Sequence, residues 1–209
     1  MPTSGVGTDI KEALVDVGNS ITIAKSGEVI TSGEYVMSKA NSQVTKPFIR
    51  EFFLETTFPY DTSGEVGDRI TFVTTQEPFL LMNRTPVLFD DEKIKYDTVM
   101  YKCNVSGELL RATYSVRDNQ LRLRENFVAV SQNVYALLTE PLFGASLDAD
   151  DELGQLGLKR EELYIPSHYG IRVLDSYSPV SGEYFKVETI QKRRYPGVDV
   201  VTLSEDTRI

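Results

Sequence analysis

The sequence predicts a mainly β fold: an antiparallel β-barrel or sandwich with a short N-terminal helix and one long loop. Three observations carry this. Residues 67–104 alternate apolar and polar side chains between turn signals, as half-buried antiparallel strands do. There Ile70 and Phe72 stand against Thr71, and Phe79-Leu80-Leu81-Met82 is an apolar run. An acidic turn, Asp90-Asp91-Glu92, then leads into Val99, Tyr101, Cys103 and Val105 on one face. Second, Trp is absent while 11 Tyr and 10 Phe supply the large side chains, a bias that favours strands. Third, turn signals built from Gly, Pro, Asn and Asp recur between short runs.

In chain order, Thr8 is the expected cap of a helix over 9–17, with Asp9 and Glu12 near the positive end of its dipole. Ile10, Leu14 and Val17 fall on one face, and Gly18 ends it. Such a helix packs on its own domain or docks on a neighbouring subunit. Strands are expected over 20–24 and 29–37, with Ser26-Gly27 as the turn between them. Residues 40–45 read as a loop. Pro47 opens a run rich in aromatic and β-branched residues that Pro59 closes. After residue 104, Ser106-Gly107 is a predicted turn, 109–116 a strand and Asp118-Asn119 another turn. Leu121 and Leu123 then alternate with Arg122 and Arg124. Residues 126–139 fit a helix through Phe127, Val130, Val134 and Leu137, or a strand through Val128, Val130, Val134 and Ala136. Strand is the reading at the start, and the end stays open. Residues 141–162 are acidic and Gly-punctuated, a long loop or linker. The last segment predicts strands at 170–174, 183–192 and 198–203, with turns at 175–179 and at Tyr195-Pro196-Gly197. The expected division is a β-rich main domain with the helix (1–140), the acidic loop (141–162) and a C-terminal β segment (163–209).

The length of 209 residues permits a sizeable core. The net charge of −9 and pI near 4.8 run against a phosphate-gripping surface, which shows a basic field. One cysteine, Cys103, allows no intramolecular disulfide. The first residues carry no basic stretch followed by an apolar one, so no signal peptide is expected. No apolar run reaches the length of a membrane span, and no membrane partner is expected.

Cys103 and His168 are the only possible thiol–imidazole pair. Cys103 reads as a small buried hydrophobe and His168 as an ordinary loop or strand histidine. Asp148, Asp150, Asp151 and Glu152 resemble a calcium loop. Counting from Asp148, however, the sixth position is Leu153 and the twelfth Lys159, where Gly and Glu are required. A solvated acidic loop or weak cation binding remain. Lys192-Arg193-Arg194 is the densest basic spot, and Arg122 with Arg124 is another; these are solvated strand ends or subunit contacts. No nucleotide-binding, metal-ligating or nucleophile motif occurs, so no catalytic residue, metal site or cofactor is expected.

The last segment runs through Gly182-Glu183, Phe185-Lys186-Val187-Glu188-Thr189-Ile190, Gly197 and Val201-Thr202-Leu203, and ends near Arg208. This order resembles tailed-bacteriophage neck proteins of the head-closure or stopper type, whose short β-barrels carry G-D, Y-x-V-x-x-I, G and L-x-L-R near the C-terminus. Here Glu183 stands at the usual Asp. Residues 67–104 fit similarly from Gly67-Asp68, as a diverged second copy or as ordinary barrel regularity. The resemblance implies a virion protein, assembled in the host cytoplasm, that forms a ring of its own copies between portal or adaptor and tail. DNA would pass through it without specific binding. The expected subunit contacts set Arg122, Arg124, Lys192, Arg193 and Arg194 of one copy against Asp148, Asp150, Asp151 and Glu152 of the next. Other tail or baseplate proteins, a monomeric β-type binding module with Tyr-rich loops, and an enzyme built on Cys103 are the competing classes.

Overall fold

The computed structural model describes residues 5–25, 28–39, 52–117, 123–139 and 161–208. The chain is mainly β, with one short N-terminal helix and antiparallel strands that close into barrels. It divides into two compact units, Met1–Cys103 with Tyr195–Val198, and Asn104–Arg194 with Asp199–Ile209. The first holds α1 (Val6–Val17), β1 (Asn19–Lys25), β2 (Glu28–Lys39), β3 (Phe53–Pro59), β4 (Arg69–Phe72), β5 (Pro78–Phe89) and β6 (Glu92–Lys102). Its strands close a barrel in the order β1-β2-β3-β6-β5-β4. The second barrel comprises β7 (Val105–Arg117), β8 (Leu123–Thr139), β9 (Glu161–Pro166), β10 (Ser176–Ser178), β11 (Phe185–Tyr195) and β12 (Val198–Glu205). A single 3-10 turn, Ser167–Tyr169, follows β9.

Read in the same direction, the second barrel closes as β7-β8-β9-β12-β11-β10. This is the strand order of the first, and the registers repeat it at four matched strand pairs. Ile70 lies between Ile23 and Phe79, and Tyr177 lies between Leu109 and Phe185. Met37 faces Thr57 as Leu137 faces Tyr164. Both second strands carry a bulge at a left-handed residue, Gly33 (φ 84) and Asn133 (φ 55). Both third strands end on a proline, Pro59 and Pro166.

Each barrel buries its own core. Ile21, Ile23, Val36, Phe58, Ile70, Leu81 and Met100 fill the first. Leu109, Val134, Ala136, Leu163, Ile165, Tyr177, Val187, Val201 and Leu203 fill the second. A fully buried apolar side chain stabilises by roughly 1.5–3 kcal/mol, so these layers hold the barrels closed. At one matched position the volumes are exchanged. The first barrel uses Ile21 and Ile70, the second Gly107 and Tyr177. A Cβ on Gly107 would lie 2.8 Å from Tyr177 Cζ and 2.3 Å from the Ser178 carbonyl oxygen.

Several expectations are corrected. The compact units divide at Cys103/Asn104, not near residue 140, because β7 and β8 pair with β10 and β9. Residues 163–209 are therefore half of a barrel rather than an appended segment. Ser106-Gly107 lies inside β7, where the missing side chain admits β10. Residues 170–174 are not a strand: they run irregularly into a turn at Val173-Leu174, with Leu174 at φ 72, and part of the expected turn at 175–179 is strand β10. Residues 126–139 are strand throughout. Glu161 and Glu162 belong to β9; the expected loop before them, and the expected turns at Ser26-Gly27 and Asp118-Asn119, lie outside the described residues. Thr8 sits inside α1, whose N-cap is Gly5, and Val17 is exposed while Gly7 and Leu14 are buried. The inward residues of β6 are Thr98 and Met100 rather than Val99 and Tyr101. Among the described residues, no helix is long and apolar enough to cross a membrane.

Candidate functional site

The chemistry expected at the basic strands begins with their placement. Lys192, Arg193 and Arg194 are exposed on β11 and, with Ile190 and Gln191, line a shallow open depression. Arg124 pairs with Val116 near the tip of the β7–β8 hairpin. β8 and β11 stand opposite each other in the six-stranded ring, so the two basic stretches belong to different sides of that barrel. Arg122, Asp148, Asp150, Asp151 and Glu152 lie outside the described residues.

A repeated turn sets the electrostatics at the base of each barrel. Glu65-Val66-Gly67-Asp68 precedes β4, and Arg172-Val173-Leu174-Asp175 precedes β10. In each, the last residue is a buried aspartate whose carboxylate accepts the N–H three residues back, Glu65 at 2.8 Å and Arg172 at 2.8 Å. In each, the residue before it has positive φ, Gly67 at 95 and Leu174 at 72. In each, the aspartate carbonyl accepts from the fifth strand of its barrel, Leu81 at 3.0 Å and Val187 at 2.9 Å.

The charged partners differ. Arg111 grips Asp175 with both fork nitrogens, Nε at 2.9 Å and Nη2 at 2.8 Å, and also reaches the Gly170 carbonyl at 3.0 Å. Lys25 occupies the matching place in the first barrel, yet its Nζ bonds Glu65. Lysine offers a point charge where arginine offers a fork. Burial pushes the Asp68 carboxyl above its ordinary 3.8, against the Glu65 N–H bond that lowers it. Its folded value thus exceeds its unfolded value. The stability it contributes is full below the unfolded value and lost as pH rises through the folded one. Asp68→Asn keeps the acceptor for Glu65, so it should raise stability at neutral pH and flatten that part of the pH dependence. Urea titrations at neutral pH and near 3.8 check this; equal losses at both would contradict it.

Cys103 is buried, 7% exposed, and burial pushes its thiol up to about 12. The native protein should therefore resist a thiol reagent that modifies the unfolded chain readily. Cys103→Ser should cost about 1–3 kcal/mol for a hydroxyl in an apolar site. Rapid modification of the folded chain would contradict the assignment. His168 is exposed on the 3-10 turn of the other unit, its ring 4.2 Å from that of Tyr169. In the first unit, Lys11, Leu14, Glu34 and Asp61 line a cleft of about 220 Å³ between α1 and β2. This is below the roughly 300–1,000 Å³ of ligand pockets, and the Lys11–Asp61 ion pair at 2.5 Å crosses it. Among the described residues, no three His, Cys, Asp or Glu side chains form a metal-holding group.

The most distinctive exposed feature is the β7–β8 hairpin. The first barrel turns back after Lys25; the second runs on to Arg117 before returning at Leu123. β10 covers β7 only at Glu108–Leu110, and β9 covers β8 only at Leu137–Thr139. From Arg111 to Arg117 and from Leu123 to Val130, the two strands have only each other as strand partners among the described residues and form a two-stranded arm. Sequence reading missed the arm and the paired aspartates. Proline and aspartate nine residues apart, Pro59 with Asp68 and Pro166 with Asp175, were the available signal. Neither a family model, a curated protein nor a solved structure matches this chain.

Proposed function

We propose that this chain is a structural protein of a phage virion. It forms a ring in the head-to-tail connector, links portal or adaptor to tail, and passes or retains DNA without gripping it. The observation that supports this most is the presence of two closed barrels of one strand order, with the β7–β8 hairpin of the second running on as an arm. Such a scaffold presents rigid edges and long ribbons to other chains, which assembly needs and catalysis does not. The motif residues of the neck-protein resemblance fall on adjacent strands, Phe185-Lys186-Val187 on β11 and Val201-Thr202-Leu203 on β12. The net charge of −9 suits a wall past which DNA slides. Copies meet head to tail, a contact that closes into a ring when the rotation allows. The exposed Lys192, Arg193 and Arg194 form one half, and the acidic stretch Asp148 to Glu152 of the next copy is the other. Exposed ion pairs are individually weak, so the ring forms on a portal template. Reversing Arg193 and Arg194 to Glu should leave the thermal melt of the free protein intact and block incorporation into particles. Normal incorporation of that variant would overturn the contact.

A further inference from the structure

Among the described residues, the arm carries an edge unlike the others. From Asn126 to Thr139, β8 contains no charged residue and no proline. Among the described residues, the other strands that outrun their neighbours carry charge or proline. β5 pairs with β4 only as far as Leu80 and then carries Arg84 and Pro86. β11 pairs with β10 at Phe185 and Lys186 and then carries Glu188, Lys192, Arg193 and Arg194. β7 carries Arg111 and Arg117, and β2 carries Glu28 and Glu34. Charge, proline and bulges on open edges all hinder unwanted pairing; between Asn126 and Thr139, β8 has only bulges.

The edge is also apolar where it is most exposed. Val128 is 49% exposed and Val130 43%, and Ala129 between them is exposed as well. A register shift opposite Leu109 and Leu110 leaves Val130 as the extra residue of a bulge. Bulges re-aim side chains, and this one accompanies three consecutive outward apolar residues. Runs of that kind on a surface are unfavourable unless another surface covers them.

We propose that the covering surface is the same triplet of a second copy, the two β8 edges meeting antiparallel about a two-fold axis at Ala129. Val128-Ala129-Val130 reads the same in both directions, so this axis sets Val128 of each copy against Val130 of the other. Asn126 then faces Gln132, and no charge is buried. The other open edges carry shorter uncharged runs, residues 112–116 on β7 and 29–33 on β2 among them, each bounded by a charged residue. The contact is isologous, so it describes the free protein and does not rest on the ring reading.

The test is sedimentation of the whole protein at low and high salt, beside Val128→Lys/Val130→Lys and Ala129→Cys. Wild type should sediment at twice the chain mass at both salt concentrations, since no ion pair holds it. The double lysine variant should keep the folded wild-type circular dichroism spectrum, lose the concentration dependence of the wild-type melt, and sediment at half that mass. Ala129→Cys should cross-link to itself under mild oxidation, because residues facing each other across such a pair have Cβ atoms about 4.5–5.5 Å apart. Buried Cys103 will not compete for the oxidant. A wild type that stays monomeric at high concentration would overturn the proposal. So would a dimer that survives both lysines, or one in which Ala129→Cys fails to cross-link.

Discussion

Arg111→Met is expected to destabilise the protein by about 3 kcal/mol, the lower end of the range for stripping one partner from a buried ion pair. Asp175 keeps only 4% of its side-chain surface exposed, while Arg111 keeps 25%, so solvent screens part of the loss. The cost arises because the carboxylate stays behind, with the Arg172 N–H as its one remaining donor of those described above. Adding Asp175→Asn to the same chain should recover most of it, since an amide needs no counter-charge. Urea unfolding of wild type, single and double variants measures this. A single variant within about 0.5 kcal/mol of wild type would mean that the fork holds nothing in place.

Gly107→Ala is expected to cost about 3 kcal/mol, the upper end for forcing one extra carbon into a packed site. The new Cβ would sit 2.3 Å from the Ser178 carbonyl oxygen and 2.8 Å from Tyr177 Cζ. The first contact is with backbone, so rotating the tyrosine cannot relieve it. The control is Gly64→Ala, where a Cβ would come no nearer than 3.5 Å to any neighbour and φ is not left-handed. It should be neutral, or stabilising by about 0.4–1 kcal/mol through the unfolded chain. Thermal melts of both variants settle the comparison; equal melting temperatures would contradict the close approach.

The β class and the hairpins were legible because their signals are local. Asp90 and Asp91, at φ 51 and 62, take the two left-handed positions of a type I′ hairpin turn, a role Asp tolerates. Pro196-Gly197 turns β11 into β12 as its chemistry predicts. What failed depended on neighbours distant in sequence. Gly107 looks like a turn glycine, yet its use is to let β10 approach. Val173 and Leu174 look like strand, yet both are exposed in a turn. Ser176-Tyr177-Ser178 is too short to show a period. The boundary between the units was invisible because only Cys103 and Asn104 separate β6 from β7, with no Gly or Pro linker.

The doubled strand order was hidden for a related reason. Its matched positions exchange partners rather than keep identities. Ile21 with Ile70 becomes Gly107 with Tyr177, and Lys25 with Glu65 becomes Arg111 with Asp175. Glu34, which binds Ser63 in the first barrel, becomes the core residue Val134 in the second. The repeat that sequence reading aligned on Gly67-Asp68 and Gly182-Glu183 lies instead on Asp68 and Asp175. The candidate contact residues were legible only as charge. The exposure of Lys192, Arg193 and Arg194 on β11 is structural, and their role belongs to the proposed assembly.

The claim at the centre of this account is a place at the junction of head and tail. Gold-labelled antibody raised against the purified protein, applied to intact and to tail-stripped phage particles, tests it most directly. The account predicts label confined to the single vertex where the tail joins, and stronger once the tail is removed. Particles without label, or label spread over the capsid or along the distal tail, would contradict it.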